Sequence, residues 1–342
     1  MKGYRIVVPN VREAKLEEFE IDETKIADDE ILVRNIFTMI SPGTELSIYT
    51  GIDPEVYIPT SWCHYPFYPG YIGVGEVIKK GPKVKRVEVG DLIYHFSRHA
   101  SIHKFKDETP YNFYLKIPPE IDYKVVPLTR FATIALTSLR VSSVVSGDTV
   151  VVIGLGLVGN FAAQLFKIAG ARVIGVDLSN RRLELARQAG IEFLINPSKS
   201  DMKEEVLKLT DGKGVDAVID AVGNSRIVVE SASLVKKMGE IILLGTPRAK
   251  YETDITPLLR IVHLNWVTLK GALEWCFPLY ETVGSKFSYE KNSLYILELI
   301  RDKKLFIDGL ITHIVKPENF KEAYEGLLNK KDEYLGVLID WT

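Results

Sequence analysis

The chain has 342 residues, which is long for a single hydrophobic core and predicts two domains. With 46% apolar and 26% charged residues it has the composition of a soluble globular protein, and a net charge of −2 argues against nucleic acid or an anionic membrane as a partner. The two cysteines are too few for a disulfide framework or a four-cysteine zinc lobe. No stretch reads as a signal peptide or a membrane span, so we expect a cytoplasmic location.

Residues 1 to about 121 are predicted to be mostly β-structure. Short apolar runs such as 30–36 and 73–78 are separated by glycine and proline turns at 80–83 and 89–91. Prolines are dense over 54–69, which predicts a loop that shapes a pocket.

From about residue 122 the spacing of apolar residues changes. It now predicts strands and helices that alternate along the chain. Helices are predicted at 126–143, 180–189, 201–209 and 225–236, and strands at 149–153, 171–176, 193–195, 215–220, 240–244 and 267–270. This alternation favours a parallel sheet covered on both faces. Two further helical patterns, at 289–302 and 318–329, are predicted to return to the first domain.

A β-branched run leads into glycines spaced G-x-G-x-x-G, at Gly154, Gly156 and Gly159, and a helical pattern follows. Such a strand, turn and helix presents unpaired backbone N–H groups and a positive helix end to a pyrophosphate. Gly154 suits the tight turn, Gly156 the close approach of phosphate, and Gly159 the packing of helix on strand. The next strand ends in Asp177, whose carboxylate could accept hydrogen bonds from adenosine ribose hydroxyls. The pattern therefore predicts a dinucleotide site.

Asp177 favours NAD(H) over NADP(H) as the cofactor. A carboxylate about 4 Å from a 2′-phosphate would cost roughly 4 kcal/mol at an effective dielectric of 20. Arg181 and Arg182 follow and could reduce this cost, or could simply begin a solvated helix. The remaining predicted contacts flank the glycine turn and the ends of the strands; they are Leu157, Val158, Leu178, Arg182, Val222, Gly223, Gly245, Thr246 and Gly271.

Several motifs, in this order, resemble the medium-chain dehydrogenase/reductase superfamily, which includes zinc alcohol, sorbitol and threonine dehydrogenases. They are Ser41-Pro42-Gly43-Thr44-Glu45, Gly70-Tyr71-Ile72-Gly73-Val74-Gly75-Glu76-Val77, Val89-Gly90-Asp91, the glycine turn with Asp177, Asp220-Ala221-Val222-Gly223 and Leu244-Gly245. The resemblance implies an α/β fold in which a doubly wound Rossmann sheet (122–282) is inserted into a β-rich, GroES-like catalytic domain (1–121 plus 283–342). It also implies a homodimer or homotetramer joined near the edge strand at 267–270.

The chain departs from the zinc members of this superfamily at every ligand position. Where they have a cysteine this chain has Pro42 or, allowing one inserted residue, Ser41; where they have Gly-His-Glu it has Gly70-Tyr71-Ile72. The third ligand position falls on Arg130. Because zinc requires thiolate, imidazole or carboxylate, we predict neither a catalytic nor a structural zinc. The chain therefore resembles a zinc-lacking branch similar to bacteriochlorophyllide hydroxyethyl dehydrogenase-like proteins.

The residues at the vacated positions are the predicted catalytic groups. Tyr71 could donate its phenolic proton, and Ser41 or Thr44 could relay a proton, as the Ser/Thr of this motif does in the superfamily. Arg130 could supply positive charge toward an alkoxide, or could form an ion pair with Glu45, since a buried charge without a partner is costly.

The evenly spaced histidines His95, His99 and His103 leave three interpretations open. They could share one face of a strand and bind a metal ion, or His99 could face the substrate, or all could be packing or surface residues.

Three functions remain open. The first is a zinc-independent, NAD(H)-dependent oxidoreductase acting on an alcohol–carbonyl pair of polyol or hydroxyalkyl type. The second is an NAD(P)H-dependent enoyl or quinone reductase, and the third is a non-catalytic nucleotide-binding protein on the same scaffold.

Overall fold

The computed structural model describes residues 1–107, 109 and 111–342 and divides the chain into two compact units. The first unit comprises Met1–Arg130, Leu279–Glu281 and Ile307–Thr342, and the second comprises Phe131–Pro278 and Thr282–Phe306. This division differs from the sequence-based one, which gave all residues after 283 to the first domain. The segment ending at Phe306 belongs to the second unit because the side-chain amide of Gln164 bonds both backbone groups of Phe306, at 2.7 and 3.0 Å.

The strands of the described residues are β1 (Lys2–Asn10), β2 (Glu13–Glu20), β3 (Glu30–Met39), β4 (Gly73–Lys80), β5 (Leu92–His95), β6 (Ile102–Lys106), β7 (Tyr114–Lys116), β8 (Thr149–Ile153), β9 (Arg172–Val176), β10 (Phe193–Ile195), β11 (Val215–Asp220), β12 (Val235–Leu243), β13 (Thr268–Gly271), β14 (Ile311–Val315) and β15 (Gly336–Asp340).

The α-helices are α1 (Pro42–Tyr49), α2 (Leu128–Val141), α3 (Leu157–Ile168), α4 (Asn180–Gln188), α5 (Met202–Leu209), α6 (Ser225–Ser231), α7 (Thr256–Asn265), α8 (Tyr289–Arg301) and α9 (Phe320–Asn329). Short 3₁₀ turns lie at Pro54–Tyr57, Glu274–Cys276 and Pro317–Asn319. In the part of the chain described here, no helix combines the length and apolar character that crossing a bilayer requires.

The first unit is built on a seven-stranded sheet in the order β14-β15-β3-β4-β5-β7, with β6 paired to β3. Only β14 and β15 run parallel; the other pairs are antiparallel. The C-terminal strand β15 lies against β3, so residues 338–340 pair with residues 37–39. Ile6, Tyr49, Phe67 and Tyr324 are among the buried side chains of a core that joins α1 and α9 to the amino-terminal hairpin.

The second unit contains a six-stranded parallel sheet in the order β10-β9-β8-β11-β12-β13. This is the doubly wound order of a Rossmann sheet, and its direction of winding reverses between β8 and β11. Strand β8 is almost wholly buried because helices cover both faces of a parallel sheet. The α/β fold predicted from the sequence, a Rossmann sheet inserted into a β-rich domain, is confirmed.

Two local predictions in the second unit were incomplete. The helix predicted at 225–236 ends at Ser231, because Val235 already pairs with Val215 in the sheet. Helix α7 was not predicted; its Leu258 is buried, but its neighbours Leu259 and Leu264 are exposed, so the apolar pattern is weak.

Candidate active site

Tyr71 and Ser41 meet in the first unit. The phenolic oxygen of Tyr71 is hydrogen-bonded to the Ser41 hydroxyl, and Ser41 is buried. Gly70 precedes Tyr71 with φ of +99°, and a Cβ there would lie 2.4 Å from the backbone nitrogen of His99. Only glycine therefore fits the turn that places Tyr71 beside Ser41.

Ser41 stands at the N-cap of α1, whose first helical residue is Pro42. A serine in this place commonly caps the helix with its hydroxyl, but here that hydroxyl bonds Tyr71. Glu45 in the first turn instead reaches back and accepts the Ser41 backbone N–H at 2.8 Å. The carboxylate thereby satisfies one of the unpaired backbone donors at the start of this helix.

Glu45 is the buried centre of a larger network, with only 2% of its surface exposed. Its second oxygen lies 2.9 Å from Nε2 of His99 and accepts the phenolic proton of Tyr324 at 2.5 Å. Burial, with the neighbouring Glu45 charge, raises the pKa of Tyr324 well above its usual value, so this phenol remains a donor.

Arg130 lies in the first turn of α2, at the edge of the first unit, and is buried. Its guanidinium carbon lies 4.9 Å from the ring centroid of Tyr71 and 4.5 Å from that of Phe96. Such ring faces attract a cation. The carboxylate of Glu45, with which the sequence suggested an ion pair, bonds Ser41, His99 and Tyr324.

The other predicted catalytic residues take different places. Thr44 is half-buried in α1, and its backbone carbonyl accepts the Ser47 hydroxyl; Ser41, not Thr44, bonds Tyr71. His99 is fully buried, with Nδ1 lying 2.8 Å from Oγ1 of Thr38 and Nε2 bonded to Glu45. Both ring nitrogens of His99 are thus engaged inside the unit.

The three regularly spaced histidines do not converge. The rings of His95 and His103 lie 5.6 Å apart, and Nε2 of His95 lies 2.9 Å from the amide oxygen of Asn35. Burial lowers the pKa of His95 well below its usual value. Within residues 1–107, 109 and 111–342, no three His, Cys, Asp or Glu side chains are grouped so that they could hold a metal ion.

The residues predicted at the zinc-ligand positions form a poor donor set for zinc. Ser41 offers a hydroxyl bonded to a phenol, Tyr71 offers that phenol, and Arg130 offers a guanidinium. None of these is the thiolate, imidazole or carboxylate that zinc requires, and the imidazole of His99 and the carboxylate of Glu45 bond one another. This donor set does not fit zinc.

The predicted cofactor residues lie together in the second unit, at the carboxyl edge of its sheet. Gly154 follows β8, Asp177 follows β9, and Gly245 follows β12. Leu157 and Val158 begin α3, and Arg182 lies in the first turn of α4. The other predicted contacts follow or end strands of this sheet: Leu178 after β9, Val222 and Gly223 after β11, Thr246 after β12, and Gly271 as the last residue of β13. Leu178 and Val222 are 69% and 50% exposed, so they stand at the surface of this edge.

The glycine turn has the geometry that a phosphate site needs. Gly154 has φ of +88°, and a Cβ on Gly159 would lie 1.7 Å from the Gly154 carbonyl oxygen, so helix and turn are packed backbone to backbone. Gly156 is the N-cap of α3, and a Cβ added there would have Nη1 of Arg182 at 3.9 Å as its nearest contact among the described residues outside its own chain neighbours. The protein thus leaves space at the end of a 12-residue helix that has no side-chain cap.

Asp177 is held in place by backbone donors. Its two oxygens accept the N–H groups of Leu155 and Ser179 at 2.7 and 2.8 Å, and Nη1 of Arg182 lies 3.8 Å away. A carboxylate has about four acceptor positions, so capacity remains for ribose hydroxyls. These residues fit a dinucleotide.

The sequence did not point to Tyr324, Thr38, Trp341 or Phe96, which complete the surroundings of Ser41, Glu45 and Arg130. Each looks like an ordinary core residue in its own element. A buried glutamate that follows a helix N-cap was the one available signal, because it requires donors from elsewhere in the chain.

Comparisons with known proteins show which chains this one is similar to. The family described as zinc-binding dehydrogenase matches residues 158–278, a segment that includes neither Ser41, Tyr71 nor Arg130. L-threonine 3-dehydrogenase of Pyrococcus abyssi is 26% identical over 338 residues, covering 90% of each chain. Sorbitol dehydrogenase of Bacillus subtilis is 24% identical and covers 97% of this chain and 96% of its own length. The crystal structure of 2R,3R-butanediol dehydrogenase from Bacillus subtilis is similar over 99% of both chains, with a TM-score of 0.79 and 20% identity.

Proposed function

Because this chain belongs to the medium-chain dehydrogenase/reductase superfamily and is an oxidoreductase, we propose that it is a zinc-independent, NAD(H)-dependent enzyme acting on an alcohol or carbonyl group of polyol or hydroxyalkyl type. The observation that carries the proposal is the contact of the Tyr71 phenol with the Ser41 hydroxyl and of its ring with the Arg130 guanidinium. The sequence analysis predicts that these residues stand where zinc members have their metal ligands.

The carboxyl edge of the second unit would hold the dinucleotide. Gly154, Gly156 and Gly159 leave backbone N–H groups and the end of α3 open to the pyrophosphate, and Asp177 retains acceptor capacity for the adenosine ribose. Bound NAD(H) supplies the hydride chemistry. Asp177 disfavours a 2′-phosphate, so NAD(H) is the proposed partner and NADP(H) the weaker one.

The first unit would handle the proton and the charge on the substrate oxygen. In the reducing direction the Tyr71 phenol donates its proton to the carbonyl oxygen, the Ser41 hydroxyl stabilises the resulting phenolate by a hydrogen bond, and the phenolate regains a proton from solvent. In the oxidising direction the Tyr71 phenolate, formed by loss of its proton to solvent, accepts the alcohol proton. Arg130, stacked on the Tyr71 ring, places a positive charge beside this pair and favours negative charge on the substrate oxygen.

Zinc independence is supported by the chemistry of the donor set rather than by the relatives, some of which are zinc-type enzymes by name. Hydroxyl, phenol and guanidinium groups are poor zinc ligands, whereas a phenol and a cation can together replace a Lewis acid at a developing alkoxide. No step of this proposal uses a metal ion.

The test combines metal analysis with a substrate panel. The purified protein is dialysed against a chelator, its zinc content is measured, and turnover is followed with NAD and sorbitol, threonine or 2,3-butanediol, and with NADH and the corresponding ketones. We expect turnover in zinc-free protein with members of this panel. Loss of activity on chelation that zinc restores would refute zinc independence, and turnover only with quinones or enones would replace the alcohol–carbonyl assignment.

The proposal includes a dimer formed at the open edge of the second unit's sheet. Strand β13 is an edge strand, and Leu269 on it is 39% exposed. An unpaired strand edge is a natural place for two sheets to join across a two-fold axis. Light scattering on the purified protein tests this: a mass of one chain at micromolar concentration would contradict it.

A further inference from the structure

A chain of buried polar groups runs from the C-terminus to Ser41. The indole N–H of Trp341 donates to Oγ1 of Thr38 at 2.9 Å, and Thr38 lies 2.8 Å from Nδ1 of His99. His99 in turn lies 2.9 Å from Glu45, which accepts the Ser41 N–H. Thr38 and His99 are both 0% exposed, so water does not compete for these bonds.

The direction of each hydrogen bond follows from what each group can donate. The indole nitrogen of Trp341 is a donor only, so Thr38 must accept from it. The single hydroxyl proton of Thr38 is then directed at Nδ1 of His99, which accepts this hydrogen bond. Nε2 of His99 consequently carries the ring proton and donates it to Glu45.

The alternative protonation states leave groups unsatisfied. With both ring nitrogens protonated, Thr38 would accept from Trp341 and from His99, and its own proton would have no acceptor among the bonds of the described residues. With the proton on Nδ1 alone, the lone pair of Nε2 would face the Glu45 carboxylate. A buried polar group that lacks its hydrogen bond is costly.

We infer that Thr38 and Trp341 hold His99 as the neutral Nε2–H tautomer. In this form His99 is a positioning residue: it orients Glu45, and through Glu45 it places Ser41 where its hydroxyl bonds Tyr71. The catalytic meaning of this positioning rests on the function proposed above for Ser41 and Tyr71. The tautomer itself does not depend on that function.

The positioning acts through the start of α1. Glu45 takes over the capping of this helix end by accepting the Ser41 N–H, which leaves the Ser41 hydroxyl to bond Tyr71. His99 and Tyr324 both donate to the same carboxylate oxygen and fix its orientation. If the His99 donor is removed, only Tyr324 and the Ser41 N–H still hold Glu45, so the start of α1 and the Ser41 hydroxyl are less firmly positioned.

The first experiment measures the tautomer directly. The ring nitrogens of ¹⁵N-histidine-labelled full-length protein are observed by NMR at neutral pH, and the His99 signals are identified by their loss in His99→Gln. We expect a protonated Nε2 and an unprotonated, hydrogen-bonded Nδ1. An imidazolium, or a proton on Nδ1, would overturn the inference whether or not the protein turns over any substrate.

Variants of the two supporting residues test what sets the tautomer. In Thr38→Val, and to a smaller extent in Trp341→Phe, the Nδ1 signal of His99 should move toward that of an imine nitrogen without a hydrogen bond. Trp266→Phe removes an indole N–H from an exposed side chain of the second unit and should leave the His99 signals unchanged. Unchanged His99 signals in Thr38→Val would contradict the assignment.

The second experiment separates positioning from folding. His99→Gln retains a donor toward Glu45, whereas His99→Leu removes it. We expect kcat to fall by about tenfold, equivalent to ~1.4 kcal/mol, in the leucine variant, with recovery in the glutamine variant and the dissociation constant of NADH unchanged in both. Equal kcat in the two variants would refute a positioning role.

The positioning role can also be tested by a measurement that needs no substrate turnover. Hydrogen exchange of the Ser41 amide should be faster in His99→Leu than in His99→Gln, because only the latter keeps Glu45 oriented toward it. If no probe substrate is turned over, the proposed function fails, while the NMR and exchange results still decide the inference.

Discussion

The Tyr71 phenol and the Ser41 hydroxyl are hydrogen-bonded to each other in the first unit. The sequence predicts that Tyr71 stands at a metal-ligand position of the zinc dehydrogenases and that Pro42 or, with one inserted residue, Ser41 stands at another. A proton can pass between the two oxygens, because each is both a donor and an acceptor.

Replacing Tyr71 by phenylalanine should lower kcat by about 10² or more, since general acid–base groups contribute factors of this order. Binding of NADH, followed by quenching of tryptophan fluorescence, should be unaffected. Tyr4→Phe, on an exposed tyrosine of β1, is the matched control. If the two groups act in one relay, adding Ser41→Ala to Tyr71→Phe should cost little more activity. Full activity of Tyr71→Phe would remove the phenol from the reaction.

Substitution of Arg130 should distinguish its charge from its packing. Arg130→Lys keeps the charge but loses the planar stacking on Tyr71 and Phe96, and we expect about a tenfold loss of kcat/KM. Arg130→Met removes the charge as well and should lose clearly more. Steady-state kinetics on both variants check this order. If the methionine variant is as active as the lysine variant, the cation has no electrostatic part in the reaction.

The two glycines of the phosphate turn should respond differently to alanine. In Gly156→Ala the new methyl meets no protein atom closer than 3.9 Å, and the φ of −61° suits any residue, so stability should be unchanged while NADH binds at least about tenfold more weakly. In Gly159→Ala the methyl would lie 1.7 Å from the Gly154 oxygen, which should destabilise the fold by about 3 kcal/mol. Thermal unfolding and NADH titration separate the two effects; equal NADH affinity in Gly156→Ala would place the pyrophosphate elsewhere.

Asp177→Asn should weaken the preference for NADH over NADPH. The amide oxygen can accept only one of the two backbone N–H groups, those of Leu155 and Ser179, which bond different oxygens of Asp177, and the substitution removes the charge that opposes a 2′-phosphate. We expect the ratio of the two dissociation constants to fall by at least about tenfold. Asp201→Asn, at the N-cap of α5, is a matched control in the same unit. An unaltered ratio would mean that Asp177 does not set the cofactor preference.

The loss of folding stability at acid pH should depend on His95. Burial lowers its folded-state pKa well below that of the unfolded chain, so the unfolded state binds more protons below about pH 6.5. The free energy of unfolding should therefore fall with falling pH, by up to about 1.4 kcal/mol per pH unit from this group, until the folded-state pKa is reached. Denaturant unfolding at a series of pH values should show a shallower fall for His95→Gln, which retains a donor to Asn35. His64→Gln, at an exposed histidine, should follow the natural protein; equal slopes in all three would contradict the prediction.

The sequence by itself determined the Rossmann fold and the positions of the candidate cofactor residues. Gly154, Gly156, Gly159 and Asp177 lie in consecutive elements of one strand–helix–strand unit, and their roles depend on short-range backbone geometry that any chain with this pattern adopts. Only the tertiary structure decided the partners of Glu45. Its donors come from residues 41, 99 and 324, and the support of His99 comes from residues 38 and 341. A buried carboxylate must be satisfied by whatever donors the strand register and the returning C-terminus bring to it, and no local pattern encodes that choice.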